Sequence, residues 1–447
     1  MPEPLVPEAI RRYHELLGEH LASTRAVLDS YGARTDCHVL RPCFIGAAAY
    51  KAQLDVTALL NRALLTATDR LARDASLRRK IAIPEYIDPL IALDAEFGAP
   101  AVMARFDGIV DRNGLFRVFE YNSVPGFDNT EFARMAFDEM PIARAFEQQY
   151  PFHTESLFDL AVTSLTLDQE KNGGTGLPVI GVPADPPENG VPELPAWLAH
   201  VEARGCRIIV APYQDFRHEG GRLVSPSGVV DTILPKWDEL IPLATSSLPI
   251  VEAIKARSVR TVNGLSRGLL ASYKNTFELL SNPEYASLFE PGMASTLMRH
   301  IPWTRVLRAG ATTHRGLRVD LLPFLLKNQA HMVLKPSSGK QGSGVLLGWR
   351  CTATAWKQAI TRALQLQQSY VVQERVFGVE EAYPERPQAG GGGGESLLLE
   401  DGTTTFEPFV WNADRASGAL CRVSTTDAHN LLDGCSVPPT WILDSPS

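Results

Sequence analysis

Residues 7–30 and 50–80 repeat apolar positions at helical spacing. Arg11, Arg12, His14 and Glu15 take outer positions, so both stretches predict long amphipathic helices. Residues 101–122 read as two strands around a turn, and 130–170 return to the helical pattern. Lys171-Asn-Gly-Gly-Thr-Gly176 has the composition of a linker. A buried strand over Leu177–Val182, a helix over 192–204 ended by Gly205, and a strand over Cys206–Ala211 follow. That strand–helix–strand unit predicts a small parallel α/β domain reaching Trp237 or somewhat beyond. Further on come a helix-rich stretch (263–300), a strand (330–336), a glycine-rich loop, a helix (353–367) and a strand (369–376). Gly390–Gly394 is expected to form a mobile loop.

A chain of 447 residues exceeds one simple core. Apolar residues at 45% and charged residues at 21% fit a soluble globular protein. The net charge of -8 argues against wrapping nucleic acid or an anionic membrane, but not against a local basic pocket for a small anion. No apolar run reaches the ~18 residues of a membrane span. The N-terminus lacks the basic and apolar regions of a signal peptide, so none is expected. Six scattered cysteines with no CxxC pair argue against a structural zinc site and suit a reducing, cytoplasmic setting.

The chemistry concentrates in Ala101–Asn122. Asn113-Gly114 is a two-residue hairpin turn signal. With those two in the turn, Arg112 pairs with Leu115, Asp107 faces Glu120, and Arg105 faces Asn122. Alternation then puts all four on one face, with Val102, Ala104, Phe106, Phe119 and Tyr121 on a core face. Two opposed carboxylates repel, and a divalent cation reverses the sign of that interaction. Asp, Glu and Asn are the all-oxygen donors that Mg²⁺ prefers. Arg105 beside them suits charge building on a transferred phosphoryl group. The bland alternative is an exposed hairpin with solvated charges.

Three further segments fit a nucleotide site but are weak singly. Lys335-Pro-Ser-Ser-Gly-Lys-Gln-Gly-Ser-Gly-Val345 follows a strand. Gly339 and Gly342 let backbone amides approach a phosphate, and Lys335 and Lys340 add positive charge, although no Walker A pattern occurs. Gln373 and Glu374 end the strand Tyr370–Arg375, where they either read an adenine and its ribose or cap the strand. Arg422 lies on the apolar strand Leu420–Ser424 and needs an anionic partner, phosphate or carboxylate.

Together these residues resemble the glutathionylspermidine-synthase-like branch of the ATP-grasp superfamily. The match comprises Arg105-x-Asp107, Glu120-x-Asn122, Lys274 in Ser-Tyr-Lys-Asn, Lys335, Val371-Val-Gln-Glu374 and Arg422-Val-Ser424, and spans about 100 to 435. The metal-type acids precede the nucleotide lysines, with the small α/β domain between, as in the circularly permuted order of that branch. The resemblance implies an α+β/α/β ATP-grasp fold in three regions. These are a helical region with the metal-binding hairpin (1–172), a pre-ATP-grasp domain (173–255) and a nucleotide-binding region (256–447). It also implies ATP and two Mg²⁺ ions, with Asp107, Glu120 and Asn122 holding metal. Lys274 and Lys335 would contact phosphates, and Gln373 and Glu374 would line the adenine pocket. Arg105 would steady the acyl-phosphate transition state while Arg422 faces the γ-phosphate. The implied activity joins a small-molecule carboxylate to an amine through an acyl phosphate. No amidase domain precedes the synthetase-like region, and glutathione and spermidine are not carried over.

Two rivals remain. Gly264-Leu-Ser-Arg-Gly268 matches the GxSxG nucleophile elbow, which makes Ser266 the nucleophile of a serine hydrolase. A non-catalytic nucleotide-binding relative is the other.

Overall fold

The computed structural model describes residues 5–32, 35–94, 102–123, 126–183, 193–234, 248–339, 342–385, 398–426 and 434–444. Lys340, Trp237 and Gly390–Gly394 lie outside the described residues.

The two amphipathic stretches form helices at Leu5–Tyr31 and Ala47–Arg73. The second packs Leu60, Leu64, Ala67 and Leu71 inward at helical spacing. The shorter helix Ala75–Lys80 follows and is capped by the Asp74 side chain.

The organising element is the 14-residue strand Leu398–Trp411. Along one edge it pairs first with Glu380–Glu385 and then with Met103–Val110, and its other edge carries Arg415–Ser424. Phe116–Ser123 completes this antiparallel major sheet beside Met103–Val110. A minor antiparallel sheet runs in the order Thr304–Val306, Tyr370–Glu374, Met332–Pro336, Leu346–Leu347. It has its own core, in which Trp356 and Ile360 of the helix Ala353–Ala363 meet Leu334 and Val372.

The parallel α/β unit is present, with strands in the order 260–261, 232–233, 179–183, 207–211. Its last strand, Arg260–Thr261, lies beyond the expected boundary at 255. Two-residue strands carry too little alternation to read from sequence. The chain's two ends meet where Cys43–Gly46 runs parallel to Thr440–Leu443.

The hairpin holds the register expected at the site, but through a different turn. Asp111 N–H donates to the Leu115 carbonyl at 2.9 Å, so Arg112-Asn113-Gly114 forms a three-residue loop with Gly114 at φ +75°. That shifts the outer pairs to Val110 with Phe116 and Gly108 with Val118. A bulge at Phe119 removes the shift, so Asp107 lies opposite Glu120 and Arg105 opposite Asn122. The bulge also turns Phe119 away from full burial. Val102, Ala104, Phe106 and Tyr121 are core, whereas the half-buried Phe119 ring lies 5.0 Å from Lys335 Nζ.

Candidate active site

Four strands of the major sheet bring Arg105, Asp107, Glu120, Asn122, Glu407 and Arg422 together. Arg105 Nε donates to Asp107 Oδ1 at 3.2 Å and lies 3.2 Å from Glu407 Oε2. Arg105 Nη1 reaches Asp128 Oδ2 at 2.7 Å. Arg422 meets Glu407 at 2.7 Å, Asp128 at 2.6 Å and Asp107 at 3.5 Å. Asn122 Nδ2 donates to Asp107 Oδ1 at 2.8 Å.

The minor sheet faces this network with cations. Lys274, just past the helix Ser266–Ser272, lies 3.0 Å from Glu120 and donates to the Gly339 carbonyl at 3.1 Å. Its backbone N–H bonds the Ser337 carbonyl at 2.9 Å, which ties it to the strand that carries Lys335. Lys335 Nζ donates to Gln373 Oε1 at 2.8 Å, and Gln373 Nε2 donates to Thr304 Oγ1 at 2.9 Å.

Burial sets the electrostatics. It pushes Lys335 down to about 8, although Glu120 pulls the other way. It pushes the Glu407 carboxyl up to about 8, with Arg422 opposing and Asp107 adding to the rise. Burial also acts upward on Glu120, but Lys274 and Lys335 outweigh it and hold the carboxyl below its ordinary range. Arg105 goes the other way: burial alone lowers it, and Asp107 and Asp128 carry it upward.

Arg105 and Arg422 face carboxylates, the alternative to phosphate that a buried arginine also satisfies. Gln373 and Glu374 have different partners. As strand neighbours they alternate faces, and Glu374 pairs with Arg315 at 2.8 Å. Gly339 and Gly342 are exposed on the loop, Gly342 at φ +72°.

Asp128 and Glu407 are site residues that sequence reasoning missed. Glu407 had a signal: a lone charge in Phe406-Glu-Pro-Phe-Val-Trp411, an apolar run where it must be paired. Asp128 had none, because its position depends on the loop that carries it. Ser266 is 1% exposed at the start of its helix, and the strand before it is two residues long, so no hydroxyl is presented as an elbow requires.

Among the described residues, no group of three or more His, Cys, Asp or Glu side chains is arranged to hold a metal ion. The expected set differs in kind, being two carboxylates and an amide. Its donors suit Mg²⁺: Asp107 and Glu120 are opposed across the strands, and exchanging the oxygen and nitrogen of the Asn122 amide would present a third oxygen.

No family profile and no curated protein matches the chain. Among solved structures, it is similar to the apo form of a glutathione synthetase-like effector from Globodera pallida. The TM-score is 0.57 at 12% identity, over 91% of this chain and 90% of that one. At that identity the likeness speaks to fold, and it places this chain among mixed α+β proteins of glutathione synthetase-like architecture.

Proposed function

We propose that this chain is an ATP-dependent carboxylate–amine ligase with a circularly permuted ATP-grasp order. The observation that carries the reading is the meeting of the buried Arg105, Arg422, Lys274, Lys335, Asp107 and Glu407 with the half-buried Glu120 and Asp128, where the two antiparallel sheets face each other. Buried charge on this scale weakens a fold unless it is matched, and it recurs where charge must be handled during a reaction.

In this reading Lys274 and Lys335 neutralise the ATP phosphates, and a phosphate beside Lys335 favours the charged form that burial disfavours. A substrate carboxylate attacks the γ-phosphorus, giving an acyl phosphate and ADP. Arg105 and Arg422 offset the charge on the transferring group. An amine then attacks the acyl carbon and phosphate leaves. Asp107, Glu120 and Asn122 would hold magnesium, which when bound neutralises phosphate charge. The chain's own contribution is to position groups and keep water away from the acyl phosphate.

The test is ADP release with a panel of carboxylic acids and hydroxylamine as acyl trap. Hydroxamate formed in step with ADP supports the ligase. ATP binding without ADP release for any acid returns the reading to a non-catalytic nucleotide binder.

A further inference from the structure

Two guanidinium groups aimed at one point define a place for an anionic oxygen. In this fold that place is filled by the chain itself. Asp128 Oδ2 lies 2.7 Å from Arg105 Nη1 and 2.6 Å from Arg422 Nη2. Asp107 and Glu407 already give each arginine a carboxyl partner, and Asp128 is a further one that touches both. Of these three acids it is the most accessible, with side-chain exposure of 22% against 13% for Asp107 and 0% for Glu407.

The backbone holds it there. Asp128 and Asn129 are consecutive non-glycine residues in the left-handed region, at φ +51° and +61°. Such a conformation persists only where the surroundings over-determine it. Phe127 is buried against Phe158 and Phe409 on one side, and Asn129 donates to Asp36 at 2.6 Å on the other. With the backbone fixed at both flanks, rotation of the Asp128 side chain is sufficient to vacate the point between the arginines.

We propose that Asp128 is an internal competitor for the phosphoryl group: its carboxylate occupies the oxyanion position between Arg105 and Arg422 and withdraws when the γ-phosphate of ATP arrives. This rests on the ligase reading above. A site occupied by its own side chain binds ligand more weakly, in proportion to the fraction of time it is vacant. The competition falls on a nucleotide whose terminal phosphate reaches the arginines, so ATP feels it and ADP does not. Asp128 thereby sets the preference between substrate and product nucleotide.

The experiment is calorimetric titration of magnesium ATP and magnesium ADP into the full chain, as wild type, Asp128→Asn and Asp128→Ser. Both variants should bind ATP about tenfold more tightly, the size of an ordinary coupling between competing groups, and ADP within about twofold of wild type. ATP affinity equal to or below that of wild type, with ADP affinity intact, overturns the proposal and leaves the ligase standing. Tighter binding of both nucleotides by the same factor also overturns it, because the effect is then general charge removal. Failure of wild type and both variants to bind either nucleotide overturns the ligase reading and the proposal with it.

Discussion

Replacing Glu120 by Gln separates the hairpin's structural charge from its place in nucleotide binding. Glu120 lies 3.0 Å from Lys274, and Lys335 is a second cation acting on it. At an effective dielectric constant of about 20, a pair at that distance attracts by about 5 kcal/mol. Part of this offsets the cost of taking both charges out of water. Removing one partner of a buried pair typically costs about 3–5 kcal/mol, because the other charge is left uncompensated. Unfolding entropy near 2 cal/mol/K per residue over 447 residues makes each kcal/mol worth about 1 °C in the melting midpoint. The ligand-free variant should therefore melt about 3–5 °C below wild type. ATP phosphates supply the negative charge that the two lysines have lost, so ATP in EDTA should raise the midpoint more in Glu120→Gln than in wild type. Adding magnesium should raise wild type further and the variant hardly at all. Differential scanning fluorimetry under these conditions, with ADP release measured in parallel, is the assay. Equal responses to magnesium in the two proteins, or near wild-type ADP release by the variant, would refute the placing of Glu120 among the metal donors.

Three further outcomes follow from the same site. Lys335→Met removes a charge that burial disfavours but leaves the buried Gln373 oxygen without its donor and Glu120 with one cation fewer, so the melting midpoint should fall by about 1–3 °C while the ATP-dependent shift disappears. Glu407 is protonated more readily in the fold, at about 8, than its ordinary 4.5, so the folded state binds the extra proton between those values. Its contribution to stability is complete below pH 4.5 and is lost as pH rises to 8, and Glu407→Gln should flatten that fall in a series of melts across pH. A Cβ on Gly108 would meet the Phe116 ring at 2.5 Å and the Arg117 carbonyl oxygen at 2.9 Å. Gly108→Ala should then cost about 1–3 kcal/mol through overpacking and disturb the bulge that faces Glu120 toward Asp107, seen as a lower midpoint and a weakened ATP shift.

The linear chain carried the local rules. Helical spacing placed Leu5–Tyr31 and Ala47–Arg73, and strand alternation with a glycine turn placed the hairpin within a residue or two. Periodicity is a property of neighbours in sequence, so it survives without knowledge of the fold. The hairpin register at Asp107 and Glu120 came out as expected because two departures cancelled: a three-residue turn moved the pairing by one, and a bulge moved it back. A bulge depends on what packs against the strand, and its local mark here is a single glycine, Gly108, at the register shift. Tertiary structure alone decided which anions meet the arginines. Glu407 reaches Arg105 because Leu398–Trp411, about 300 residues later, pairs beside Met103–Val110, and Asp128 reaches it from a loop whose flanks are held by Phe158, Phe409 and Asp36. Charges that have left water must find partners wherever the fold brings them, and that search crosses the whole chain.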